Sequence, residues 1–340
     1  MTKQVDIAVV GATGAVGEAM LEILHQRKFP VGKIYALASE RSAGSTVQFG
    51  NKSLIVEDLA QFDFSKVQIG LFSPGASVSE IYAPKAAAAG CIVIDNTSQF
   101  RYDDDVPLIV PEVNPDAVVG YKKKGIIANP NCSTIQMMVA LKPLYDAVGI
   151  KRINVCTYQA VSGSGKPAMD ELAKQTAALL NGRPVEAEVY PKQIAFNVIP
   201  QIDVFMDNGY TKEEMKMVWE TRKILGDNAI QVNPTAVRVP VFFGHSEAIH
   251  IETRDKITAA KAKELLSAFD GIVVIDEHKD GGYPTAVTDS SGQDPVYVGR
   301  IREDISHPNG LNLWVVSDNV RKGAALNSVQ IAELLVDKYL

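Results

Sequence analysis

Through the first 131 residues, short unbroken apolar runs alternate with longer stretches whose apolar positions recur every three or four residues. VDIAVVG (5–11) is a β-branched run of the kind that forms a strand buried on both faces. A helically spaced segment, EAMLEILHQR (18–27), follows it. Further strands are predicted at 33–39, 67–73, 91–96 and 125–129, with a helix at 77–90 ending at Gly90. Strands alternating with helices predict a parallel, doubly wound sheet, an α/β Rossmann-like domain. After Cys132 the texture changes. A helix at 133–149 leads into a long, partly alternating strand at 152–163. More strands are predicted near 235–243, 246–252, 271–275, 296–302 and 311–317, with helices near 167–181, 211–225 and 258–268. This second part reads as an α+β domain with a mostly antiparallel sheet. The last segment, 323–340, is an amphipathic helix expected to pack back on the first domain. The predicted domains are therefore 1–131, completed by 323–340, and 132–322. The boundary falls at Cys132, where an active site between domains is expected.

Length agrees with this division, since 340 residues exceed what one hydrophobic core usually serves. With 46% hydrophobic and 22% charged residues, the composition is that of a globular protein. A net charge of -6 and a pI near 5.5 argue against nucleic-acid binding, which needs a basic face. Small anionic substrates stay open, because local arginines and lysines act inside an acidic protein. The three cysteines, Cys91, Cys132 and Cys156, form no C-x-x-C pair, which argues against a disulfide framework or a structural zinc. No apolar stretch is long enough to cross a bilayer, and the first residues run straight into a strand without a signal-like segment. A reducing cytoplasm is the expected compartment.

GATGAVG (11–17) lies between the first strand and the first helix. It is a G-x-x-G-x-x-G variant of the dinucleotide-binding turn, in which glycines let backbone approach a pyrophosphate and a helix N-terminus supplies N–H donors. Glycine-rich strand-to-helix turns also arise from packing alone, but this position after the first strand favours a nucleotide. Gly11, Thr13, Gly14, Ala15 and Val16 are its candidate contacts. The second strand ends in Ala38-Ser39, followed by Glu40-Arg41-Ser42. An acidic residue here holds a free ribose in NAD sites, whereas an arginine suits a 2′-phosphate. Arg41 with the Ser39 and Ser42 hydroxyls favours NADP, and Glu40 dissents.

Residues 129–136 read NPNCSTIQ. Pro130 restricts Asn129 to an extended conformation, so a helix cannot start before it. Cys132 therefore falls at a helix N-terminus, where the dipole and free N–H groups favour a thiolate. A nucleophilic cysteine near a nicotinamide fits acyl chemistry on an aldehyde through a thioester. The bland alternative is a small residue filling a helix start. Such chemistry needs a proton shuttle. His25 and His278 read as surface residues. VRVPVFFGHSEAIHIE (237–252) carries His245 after Gly244, a bend that would re-aim it, and His250 as a structural alternative. H-S-E-A-I-H on a strand does not match the helical H-E-x-x-H zinc pattern, so no metal is expected. SGSGKP (162–167) is not a phosphate loop, because Ala160 and Pro167 stand where a glycine and a hydroxyl residue are required.

With these residues in place, the chain resembles the aspartate-β-semialdehyde dehydrogenases of bacterial type over nearly its whole length. The resemblance rests on GATGAVG, DNTSQFR (95–101), VPEVN (110–114), NPNCSTIQ, QAVSGSGK (159–166), RVPVFFGHSE (238–247) and SDNVRKGAA (317–325). It implies NADPH-dependent reductive dephosphorylation of β-aspartyl phosphate to aspartate semialdehyde. That reaction lies on the path to lysine, methionine, threonine and diaminopimelate. The resemblance also implies a homodimer built through the second domain. It makes Cys132 the nucleophile, His245 the acid/base, Gln159 the group that orients the thioester, and Asn131 a polariser of its carbonyl. Arg238 would clamp the α-carboxylate, as a planar guanidinium can. Glu213 would meet the ammonium, while Lys216 and Arg101 hold phosphate; E-E-x-K alone reads as a solvated helix face. Ser162 and Gly163 would lie beside the nicotinamide, and Asn319 would be a further cofactor contact. Other readings are an N-acetylglutamyl-phosphate or glyceraldehyde-phosphate type of reductase, a non-catalytic NADP-binding sensor, and a glycine-loop protein with no nucleotide.

Overall fold

The computed structural model describes residues 4–340, which divide into two compact units. One consists of the chain up to Asn131 together with Ala324–Leu340, the other of Cys132–Gly323.

In the first unit, β1 (Val5–Val10) is followed by α1 (Ala15–Gln26), β2 (Val31–Ala38), β3 (Thr46–Phe49) and β4 (Lys52–Asp58). Then come β5 (Ile69–Phe72), α2 (Ala76–Ala88), β6 (Ile92–Asp95) and β7 (Ile126–Ala128). Their seven-stranded sheet has the order β3-β4-β2-β1-β5-β6-β7, parallel except for the β3–β4 pair. β1 is central, and its Ile7, Val9 and Val10 are fully buried. That burial on both faces is why its sequence shows no alternation. The β3–β4 pair was absent from the sequence reading. Its two short strands turn at Gly50, which adopts φ +57°, and their apolar positions are too few to show a period.

The second unit opens with α3 (Cys132–Val148), β8 (Ile150–Gln159), α4 (Lys166–Leu180) and α5 (Lys212–Leu225). It continues with β9 (Gln231–Arg238), β10 (His245–Thr253), α6 (Ala259–Ser267), β11 (Ile272–Val274), β12 (Val296–Glu303) and β13 (Gly310–Ser317). Its six-stranded sheet runs β11-β12-β13-β10-β8-β9. The three inner pairings are antiparallel, while both outer pairs, β11–β12 and β8–β9, are parallel. The sheet is thus antiparallel-rich but mixed.

Two strand limits differ from expectation. The strand predicted at 152–163 stops at Gln159, and Val161–Ser164 winds into a 3₁₀ turn that ends at Gly165 with φ +83°. The strand predicted at 235–243 instead spans Gln231–Arg238 and contains Pro234. Proline is tolerated there because β9 is an edge strand and needs no second set of hydrogen bonds. Just beyond, Arg238 pairs with Ile199 through two backbone bonds of 2.8 and 2.9 Å.

The chain ends in α7 (Leu326–Lys338), preceded by a π-turn at Arg321–Ala325. Leu326, Val329, Ile331, Ala332 and Leu335 enter the core built by β1, β5, β6 and α1. Among the described residues no helix is long and apolar enough to cross a membrane.

Candidate active site

The first unit presents a cleft of about 630 Å3 at the carboxyl ends of its parallel strands. Gly11, Thr13, Gly14, Ser39, Arg41 and Ser42 all line it, as does Glu40. Ala15 and Val16 open α1 directly behind the turn. Gly11 has φ +83°, and a Cβ there would fall 2.6 Å from the Ser73 carbonyl oxygen. Only glycine permits that closeness, and the turn leaves backbone N–H groups available to an anion. The other walls, Asp58–Gln61, Ser73, Pro74, Val78 and Tyr82, were not singled out from the sequence. Ser73-Pro74 at the end of the third predicted strand was the available signal, since ligands bind beyond such strand ends.

The loops on both sides of Pro130 are fixed by an amide ladder within the same unit. Asn327 donates to Asn129 at 2.7 Å, Asn129 to Asn96 at 3.0 Å, and Asn96 to the Ser328 hydroxyl at 2.7 Å. Arg101 is buried and donates to the Asn96 carbonyl at 2.8 Å, and Asn131 is buried at the end of the unit.

In the second unit, Cys132 is the first residue of α3 and is half-buried. A Cβ on Gly323 would lie 2.9 Å from the Cys132 Cβ, so backbone comes close to the thiol-bearing residue. Gln159, Arg238 and His245 stand at adjacent ends of β8, β9 and β10. The register pairs Gln159 with Arg238 and places His245 across from Ser317. The Gln159 amide nitrogen donates to Glu213 Oε1 at 3.1 Å, and its oxygen accepts from the Thr157 hydroxyl at 3.0 Å. Glu213 Oε2 accepts from Lys216 at 2.8 Å, and Lys216 also reaches Asp203 at 2.9 Å. Burial alone would pull Lys216 down, but the two carboxylates outweigh it and hold the ammonium above its ordinary value. Asp203 lies in an irregular loop, where no periodicity or motif marks it in the sequence.

Glu214 has a different occupation. It closes a capping box with Thr211 at the start of α5 and also accepts the Ala236 N–H at 2.9 Å. Its two oxygens therefore serve backbone, while Glu213 serves side chains.

His245 is fully buried, and its Nδ1 accepts the Ala160 backbone N–H at 3.0 Å. Burial, reinforced by the Arg238 guanidinium, pulls its pKa down to about 3, so the ring is neutral at pH 7. With Nδ1 an acceptor, the ring hydrogen sits on Nε2. That nitrogen is 3.4 Å from the Gln159 amide nitrogen. Both are donors, so the contact is not a hydrogen bond between them; it brings two N–H groups to one place. His250, five residues on, points to the other face of β10 and pairs with Asp304 at 2.8 Å.

Arg238 donates to the Ala160 carbonyl at 2.7 Å and lies over the Tyr190 ring at 5.9 Å. A Cβ on Gly163 would lie 3.2 Å from Arg238 Nη1 and 3.6 Å from His245 Nε2, so Gly163 keeps the space beside both groups open. Asn319 accepts from Gly244 at 2.9 Å and donates to the Ser162 hydroxyl at 2.9 Å, tying the 3₁₀ turn to the bend before His245. Cys91 is buried and its thiol is pushed up to about 12, which keeps it inert. Among the described residues no cluster of metal-ligating side chains is found.

A dinucleotide-binding unit joined to a mixed-sheet unit carrying a cysteine, a neutral histidine and a paired lysine defines a class, the NAD(P)-dependent aldehyde-forming oxidoreductases. Comparison with known families agrees. Residues 6–121 match the semialdehyde dehydrogenase NAD binding domain, and 141–322 match the semialdehyde dehydrogenase dimerisation domain. The chain is 64% identical over 339 residues to the aspartate-semialdehyde dehydrogenase of Shewanella violacea, with 100% of both chains covered. It resembles the crystal structure of aspartate semialdehyde dehydrogenase II complexed with ASA from Vibrio cholerae. The TM-score is 0.98 at 61% identity, over 99% of this chain and 100% of that one. A more distant structure, the Candida albicans aspartate semialdehyde dehydrogenase with NADP, has a TM-score of 0.78 at 26% identity, over 98% of each chain. The chain belongs to the aspartate-semialdehyde dehydrogenase family.

Proposed function

We propose that this chain forms aspartate semialdehyde from β-aspartyl phosphate with NADPH, through a thioester on Cys132. The observation that carries the residue assignments is the set of contacts that link Gln159 to Glu213 and His245, Glu213 to Lys216, and Arg238 and His245 to the same residue, Ala160, in the unit that begins with Cys132. Cys132 attacks the acyl carbon, phosphate departs with the bonding electrons, and a thioester forms. Bound NADPH supplies the hydride that reduces this thioester. The resulting hemithioacetal then expels the thiolate and releases the aldehyde. His245 handles the proton. It starts as a donor from Nε2 to the reacting oxygen, alongside the second Gln159 N–H, and Asn131 assists in polarising the carbonyl. It becomes a base only by moving its hydrogen to Nδ1 or by taking a second proton there, and either change ends the Nδ1 acceptance of the Ala160 N–H.

Arg238 takes the α-carboxylate and Glu213 the ammonium, leaving Lys216 and Arg101 for phosphate. Glu213 is preferred over Glu214 because the Glu214 oxygens are engaged by backbone N–H groups. The cleft around Gly11 suits a pyrophosphate, with Ala15 and Val16 at the helix N-terminus. Ser39, Arg41 and Ser42 suit a 2′-phosphate, which favours NADP over NAD. Ser162, Gly163 and Asn319 lie toward the nicotinamide in this reading. The active enzyme is a homodimer formed through the second unit, consistent with the match to a dimerisation domain. Its three free thiols suit a reducing, cytoplasmic compartment.

The test is absorbance in the NADPH band with aspartate semialdehyde, NADP and phosphate. Phosphate-dependent NADPH formation that disappears in Cys132→Ser supports the reading. Equal turnover with N-acetylglutamate semialdehyde, or with NAD in place of NADP, would overturn the substrate or the cofactor assignment respectively.

A further inference from the structure

Glu247 lies on β10 two residues after His245, so both side chains project from the same face of the sheet. It is fully buried. Its cross-strand neighbours are Thr157 and Val315, and no cation pairs with it among the described residues. The side chain that acts on its carboxyl is Gln136, itself 1% exposed. Neither the two Glu247 oxygens nor the Gln136 amide oxygen and nitrogen have a hydrogen-bond partner, so four buried polar atoms are left unanswered. Gln136 stands on α3 four residues after Cys132, one turn along the same helix face. The pair is thus one step along its helix and its strand from two residues of the proposed site.

An ionised carboxylate in such a place has no compensating charge, and the penalty for burying it is several kcal/mol. A protonated carboxyl, by contrast, carries one donor and one acceptor, as the end of a glutamine side chain does. A reciprocal pair, the acid O–H to the amide oxygen and the amide N–H to the acid carbonyl, would satisfy both groups. A carboxylate would answer only half of the amide. It would also add negative charge in a unit proposed to hold a thiolate and a substrate bearing phosphate and carboxylate.

We propose that Glu247 is a neutral carboxylic acid in the working enzyme, and that its reciprocal pair with Gln136 is a positioning device for the helix that presents Cys132. The part concerning Cys132 rests on the function proposed above; the protonation state does not, and the experiment separates them.

Infrared spectra of the full-length enzyme, with its glutamates labelled in the carboxyl carbon, are compared at neutral pH with those of Glu247→Gln. A protonated-carboxyl band that shifts with the label and is lost in the variant is the expected result; identical spectra overturn the proposal. Kinetics then read the alignment. Glu247→Leu lowers kcat about tenfold, leaves the KM for NADP unchanged and displaces the pH profile of Cys132 alkylation. Glu247→Gln, which makes the same neutral pair with Gln136, rescues both kcat and the profile. A Gln variant as impaired as the Leu variant overturns the positioning role. If Glu247→Leu fails to fold, the infrared band and the Gln variant still decide.

Discussion

Cys132 starts α3, and the Pro130 restriction that placed it there is visible in eight residues of sequence. Cys132→Ser is expected to abolish turnover while the Kd for NADP changes less than about twofold, because no cleft-lining residue is altered. Calorimetric titration of the variant checks it, and a fully active serine enzyme would remove the nucleophile. Arg238 donates from Nη1 alone to the Ala160 carbonyl and rests on Tyr190. Arg238→Lys keeps the charge but loses the fork, and the KM for aspartate semialdehyde should rise on the order of 10- to 100-fold, about 2 kcal/mol. Unchanged kinetics would sink the carboxylate role. His245 gives a pH prediction with a definite sign. Its folded-state pKa, about 3, is below the ordinary 6.5, so the unfolded chain binds the extra proton between those values. Stability attached to this residue is therefore complete above 6.5 and is lost as pH falls from 6.5 toward 3. Urea unfolding of His245→Gln should show a flatter acid limb than the parent. Glu247 has the opposite sign: burial raises its pKa well above 4.5, so its contribution declines as pH rises from that value. Cys132, Arg238 and His245 were legible because their neighbours form recognisable strings. Asp203 was not, because its partnership with Lys216 depends on a loop folding back across thirteen residues.

At the scale of elements, α5 is the clearest case of local sequence fixing a side-chain row. Thr211 caps it, Glu214 closes the box, and Gly226 ends it with φ +62°. Thr211→Ala should cost about 1 kcal/mol, seen as a lower urea midpoint, and should loosen Glu213 and Lys216 enough to raise substrate KM. A stability loss without any change in KM would mean that the cap does not position them. The glycine turn gives a second test. Gly11→Ala sets a Cβ against the Ser73 carbonyl in a left-handed backbone, so NADP binding should weaken about tenfold or more. Undiminished affinity would show that the cleft does not hold the pyrophosphate. The strands β3 and β4 were missed because half-exposed strands of four and seven residues carry little pattern. The early stop of β8 was missed for a different reason. Ala160-Val161 is as strand-compatible as what precedes it, and only the turn closed by Gly165 ends the run.

For the molecule as a whole, the outer face of the second sheet carries Cys156 and Tyr158 on β8, Ala248 and His250 on β10, and Trp314 on β13, all half-buried. Ala248 sits between Cys156 and Trp314 in the register. If this face joins two chains, Ala248→Glu places charge at its centre and should yield a monomer in sedimentation equilibrium at concentrations where the parent is dimeric. A variant that stays dimeric would move the interface elsewhere. The amino-acid sequence by itself determined the two-part architecture, the glycine turn, the cysteine at a helix start and the histidine beyond a bend. These are local: each follows from backbone restriction, periodicity or a contiguous motif. Tertiary structure alone decided which carboxylate of α5 engages side chains, which nitrogen of His245 carries hydrogen, and that Glu247 is buried opposite Gln136. Those properties depend on partners from other strands and helices, on the Ala160 N–H, the Ala236 N–H and the face of α3. Strand pairing sets such distances, and no residue's own neighbours in the chain reveal them.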